Sequence, residues 1–73
     1  MQEMFVIIQI KDEGKKVFRI KYETDDEYER KCFALLFTLS RKHYIATLGS
    51  VPYDYLKKIE PDCQIDDWDE FWN

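Results

Sequence analysis

The sequence predicts an α+β fold: a small two-layer domain with an antiparallel sheet of three or four strands under one main helix, in the order ββαβ, plus a short C-terminal element. Three observations predict it. Two β-branched runs flank a polar loop containing Gly14, a capped amphipathic stretch opens at Thr24, and a third apolar run follows at His43–Leu48.

The first run, Met4-Phe5-Val6-Ile7-Ile8-Gln9-Ile10, reads as a strand, and Lys11 to Lys16 forms the polar hairpin loop after it. Val17 to Tyr22 then alternates, with Phe18, Ile20 and Tyr22 on one face and Val17, Arg19 and Lys21 on the other. Met4, Val6, Ile8 and Ile10 make the inner row of the first strand. A single helix covers one face only, so Phe5, Ile7 and Val17 are expected on an open one unless another element covers it.

Thr24 to about Arg41 is the helix. Thr24-Asp25-Asp26-Glu27 has the spacing of a capping box, in which Thr24 caps the N-terminus and Glu27 reaches back. Tyr28, Cys32, Leu35, Leu36 and Leu39 form the apolar stripe, which Phe33 and Phe37 are expected to widen to one side. His43 to Leu48 returns as a strand. Residues 50–59 admit two readings, an edge strand entered by a turn at Gly49-Ser50 or a short helix near Pro52 that buries Tyr55, Leu56 and Ile59. Asp54 followed by Lys57 and Lys58 favours the helix. Pro61 ends this segment.

Composition sets the class. Residues 1–73 make a single domain, and a chain this short buries only about 60% of the surface its unfolded form exposes. Five Phe, five Tyr and two Trp compensate with large apolar area per residue. The longest apolar runs fall well short of the roughly 20 residues that cross a bilayer. The first seven residues hold Glu3 and no Lys or Arg, unlike a signal peptide. The expectation is therefore a cytoplasmic protein (of the host cell if viral), without a membrane partner and with Cys32 and Cys63 as free thiols.

Charge is segregated along the chain. Residues 1–22 carry net +2, residues 23–29 net −5, residues 30–58 net +5 and residues 59–73 net −6, giving −4 in total. The first acidic block suits a helix N-terminus, whose free N–H groups and dipole favour carboxylates. The second is less easily explained by local structure, because it also holds Ile65, Trp68, Phe71 and Trp72. On a helix these four share one side, leaving Asp66, Asp67, Asp69 and Glu70 outward. Either the aromatics close an undersized core, or they are exposed anchors within an acidic rim, the usual pattern of a binding hot spot.

Little in the sequence points to chemistry. His43 stands alone, without a nucleophile motif, so the chain is not expected to be an enzyme. It has no Cys-x-x-Cys, His-x-x-x-His or calcium-loop pattern, and no metal or cofactor is expected. Lys15, Lys16, Arg19 and Lys21 cluster on the hairpin, but the net charge opposes direct nucleic-acid binding.

The leading expectation is a small acidic protein-binding module, an inhibitor or regulator whose partner has a basic surface. It would act as a nucleic-acid-mimicking decoy against the basic groove of a nucleic-acid enzyme. Its expected contacts are Asp66, Asp67, Trp68, Asp69, Glu70, Phe71 and Trp72, with Asp25, Asp26 and Glu29 as a secondary set. In size and charge the chain resembles small acidic viral or mobile-element inhibitors of nucleases, among them anti-CRISPR and anti-restriction proteins. The alternative expectation is a homo-oligomeric structural or adaptor protein without inhibitory activity, a dimer through the open sheet face or the Trp-bearing tail.

Overall fold

The computed structural model describes residues 1–71. β1 (Gln2–Ile10) and β2 (Gly14–Tyr22) form an antiparallel hairpin in which Ile10 faces Gly14 and Gln2 faces Tyr22. Gly14 takes φ +87°, a left-handed conformation that closes the loop without a Cβ penalty.

α1 (Asp25–Ser40) begins as its capping residues require. Thr24 Oγ1 accepts a hydrogen bond from the Glu27 N–H at 3.2 Å, and Glu27 Oε1 accepts from the Glu23 N–H at 3.0 Å. The reciprocal half of the capping box thus reaches Glu23, one residue beyond the cap. Leu35 buries fully and Leu39 nearly so against Val6, Ile8, Ile10, Phe18 and Ile20, with Tyr28, Cys32 and Leu36 packed around them. The sequence expectation for Phe33 and Phe37 fails. At 100° per residue both lie nearly opposite Leu35, and they stack on each other in solvent, 73% and 55% exposed, with centroids 6.3 Å apart.

β3 (Ile45–Val51) pairs antiparallel with β1 and runs three residues past the expected Leu48. Gly49 and Ser50 are therefore strand, not turn. The register skips Leu48, since Ile7 faces Gly49 and Ile8 faces Thr47, and Gly49 accommodates this bulge at φ +140°. α2 (Tyr53–Ile59) follows at once, so the helical reading of this segment holds. Only Leu56 is buried, however. Tyr55 and Ile59, expected inside, are 53% and 45% exposed, because a helix of seven residues turns one narrow face to the sheet.

That face corrects a larger expectation. Phe5, Ile7 and Val17 are not on an open surface but are buried at 2%, 5% and 2% exposure, clustered with Leu56 and flanked by Val51, Cys63 and Ile65. The Phe5 ring also meets Tyr53, centroids 5.5 Å apart. The face proposed for homodimer contact is thus covered by the chain's own α2.

The fourth strand comes from the tail. β4 (Ile65–Asp67) pairs parallel with β2, and α3 (Trp68–Phe71) follows. The sheet is mixed, in the order β3-β1-β2-β4. The short C-terminal element expected here is a strand followed by a single helical turn, so Ile65 packs on the α2 side while Trp68 packs on the α1 side, and the one-sided stripe these residues would make on a helix does not form. No helix among the described residues is long and apolar enough to cross a membrane.

Candidate functional site

The parallel pairing of β4 with β2 sets Asp67 beside Arg19. The Arg19 guanidinium donates to Asp67 Oδ2 at 2.5 Å, with Lys21 Nζ at 3.9 Å from the same oxygen. Asp67 Oδ1 accepts from the Asp69 N–H at 2.9 Å, capping the first turn of α3. The hydrogen bond from Arg19 holds the Asp67 carboxyl below the usual carboxylate range, and the same bond holds Arg19 above its own. With its side chain only 13% exposed, Asp67 is a structural anchor for the tail.

Trp68 is held from two directions by one residue. Its indole N–H donates to the Lys31 carbonyl at 3.1 Å, and Lys31 Nζ lies over the ring, 4.8 Å from the centroid. That ammonium also donates to the Lys21 carbonyl at 2.6 Å. It stands 3.9 Å from Glu27 Oε1 and 4.0 Å from Asp69 Oδ1. Lys31 therefore joins the two acidic blocks, which are separated by about half the chain. In the sequence Lys31 is one base among several on the predicted helix, and the net charges of the flanking blocks are the signal that could have singled it out.

The remaining predicted contacts divide. Asp66, opposite Phe18 in the register, is half-buried. Asp69 and Glu70 are exposed on α3. Phe71 sets its ring edgewise on Phe18, centroids 5.5 Å apart, and keeps 36% of its surface exposed. Asp25, Asp26 and Glu29 are exposed on the first turns of α1. Trp72 lies outside the described residues.

The same topology separates charge along the sheet. Glu3 faces Lys21 near the end where α1 begins, and β4 delivers the α3 carboxylates toward that end. At the other end lie the hairpin lysines and the C-terminus of α1, which Arg41 and Lys42 follow. There Lys15 pairs with Glu60 at 2.7 Å and His43 Nδ1 lies 3.3 Å from Glu13. The end that holds the start of α1 and α3 is acid-rich, while at the other end acids and bases are mixed.

Burial pushes the Cys32 thiol up, away from the thiolate form a nucleophile needs. Burial likewise pushes the Tyr28 phenol up, although it lies within hydrogen-bond reach of the Ser50 side chain. No group of three His, Cys, Asp or Glu side chains among the described residues is placed to hold a metal ion. No known family model matches this chain, and no match was found among curated proteins or solved structures.

Proposed function

We propose that this protein is an acidic protein-binding module that engages a basic surface on its partner through the start of α1 together with α3. One observation carries the reading. Lys31 lies within 4.0 Å of both Glu27 and Asp69, so two acidic segments far apart in sequence form one contiguous patch. Local helix capping accounts for the first segment alone. It does not account for the second being brought to it.

The charges offered to a partner are Asp25, Asp26 and Glu29 on α1 and Asp66, Asp69 and Glu70 on the tail. Carboxylates on neighbouring helical turns repeat at about 5–6 Å, a spacing that suits a groove built for phosphates. This supports the finer reading, a decoy that occupies the basic groove of a nucleic-acid enzyme and inhibits it. Trp68 and Asp67 then act as the scaffold that fixes the patch, and Phe71 is the partly exposed aromatic beside it. Charge of this kind chiefly accelerates encounter and makes binding salt-sensitive.

The test is affinity capture with the full chain from lysate of its native host, followed by binding assays on the captured protein. Combined reversal of Asp25, Asp26 and Glu70 to Lys should abolish binding while the circular dichroism spectrum is unchanged. Duplex DNA should compete for the same partner. Unchanged binding by the reversed variant would sink the proposal; loss of binding without competition by DNA would retain the acidic module and remove the decoy.

A further inference from the structure

The two edges of the sheet are built differently. β4 is three residues long, carries Asp66 and Asp67, and is closed off by α3. Short, charged edges of this sort resist pairing with other strands. β3, the opposite edge, is seven residues long, and Ile45-Ala46-Thr47-Leu48-Gly49-Ser50-Val51 holds no charge and no proline. Ala46, Thr47, Leu48 and Ser50 are exposed, Leu48 by 53%. Among the described residues, only one side of β3 is paired, the side toward β1. Its outer backbone groups are a template for another strand.

The charge distribution says which strand fits. At the Ile45 end of β3, Arg41 and Lys42 come just before the strand in the chain, and Lys11 packs its ammonium over Tyr44 at 5.5 Å. At the Val51 end the nearest charge along the chain is Asp54, in the first turn of α2, with Lys57 and Lys58 a turn further on. A strand running antiparallel to β3 and carrying the same two ends would set base against acid at both. A second copy of this chain, related by a two-fold axis through the middle of β3, meets that condition. Leu48, left out of register with β1 by the bulge, lies at the midpoint, where its counterpart would meet it.

We infer that two copies pair antiparallel through the free edges of β3, continuing the four-stranded sheet into an eight-stranded one. The interface is isologous, as closed dimers require. It uses the edge, not the sheet face that α2 covers. Because β4 and α3 lie at the far edge, the dimer carries a tail patch at each outer end. The pairing is independent of the acidic-module reading.

The experiment is sedimentation velocity on the full chain across a wide concentration range. The mass should rise from one chain of 8.9 kDa to two and stop there. Leu48→Lys places like charges across the axis and should leave a folded monomer at every concentration. Lys42→Glu should weaken the dimer about tenfold or more, and adding Asp54→Lys in the same chain should restore it, because each reversed base again faces a reversed acid; this pair of variants reads the interface even if Leu48→Lys fails to fold. Glu70→Lys should leave the dimer intact whatever it does to partner binding. A chain that stays monomeric throughout overturns the inference, as does a dimer that survives Leu48→Lys or a double reversal that fails to restore pairing. A mass that climbs past two chains would overturn the closed two-fold arrangement as well.

Discussion

Lys31 and Trp68 hold each other by two different contacts: the Lys31 carbonyl accepts the indole N–H at 3.1 Å, and the Lys31 ammonium lies 4.8 Å from the centre of the same ring. The pair ties the last described helix of the chain to the middle of α1. It also decides what Trp68 is for. With its polar atom satisfied inside the chain and its ring packed against the α1-side cluster, Trp68 holds the tail in place.

Replacing Trp68 should therefore cost stability in two steps. Trp68→Phe keeps most of the packing and loses the indole hydrogen bond, for a loss of about 1 kcal/mol. Trp68→Ala loses the packing and the cation–π contact too; because the ring is half-buried, about 2–3 kcal/mol is expected, below the range for a fully buried aromatic. Urea unfolding followed by circular dichroism separates the two. Equal losses for both variants would mean that the hydrogen bond alone fixes the tail.

Asp67 should make the protein sensitive to acid. The hydrogen bond from Arg19 lowers its folded pKa, so its contribution is complete above the unfolded value of about 3.9 and is lost as pH falls through the lower folded value. Asp67→Asn should cost about 1 kcal/mol at neutral pH. That figure sits at the low end for a charged hydrogen bond because the Arg19 side chain is 37% exposed and solvent screens the pair. The gap between wild type and variant should hold steady from neutral pH down to about pH 5 and close below pH 4. Thermal melts across that range would show it; a gap that widens in acid would mean that the carboxylate is not what stabilises the folded state.

The helix cap gives a smaller, cleaner effect. Thr24→Ala removes the acceptor for the Glu27 N–H and should destabilise by about 1 kcal/mol, whereas Thr24→Ser should be nearly neutral. Amide hydrogen exchange should quicken most in the first turn of α1. If protection there is unchanged in the alanine variant, the Glu27-to-Glu23 bond is sufficient by itself.

What could be read from the sequence was local. The Thr24 cap and the Leu35–Leu39 stripe depend on residues within a few turns, and the alternation of Val17 to Tyr22 depends on strand geometry alone. The structure places all of these as expected. The form of the tail was not legible because Ile65, Trp68, Phe71 and Trp72 have helical spacing, while the partner that holds Asp67 is Arg19, nearly fifty residues away. The covering of Phe5, Ile7 and Val17 was equally non-local. Nothing near Leu56 in sequence says which side of the sheet α2 will cross to. Of the candidate site, the acidic residues were legible, but their convergence on Lys31 was not, because it depends on the parallel pairing of β4. For Phe33 and Phe37 the signal was present and misjudged: the helical angle alone sets them opposite Leu35.

Leu56 offers the sharpest test of how the second face of the sheet is closed. It is the sole fully buried residue of α2 and lies among Phe5, Ile7 and Val17. Leu56→Ala should remove about 2–4 kcal/mol, since the short helix makes few other apolar contacts and a cavity would open against three large side chains. The loss should come with a specific symptom. Once α2 detaches, Phe5 and Ile7 become a contiguous apolar patch, so the variant should bind a hydrophobic dye and aggregate at concentrations the parent tolerates. Leu56→Met, nearly the same volume, should keep both stability and solubility. If Leu56→Ala unfolds no more easily than the parent and binds no dye, then Val51, Cys63 and Ile65 suffice to cover that face, and α2 is an attachment to the sheet and not its lid.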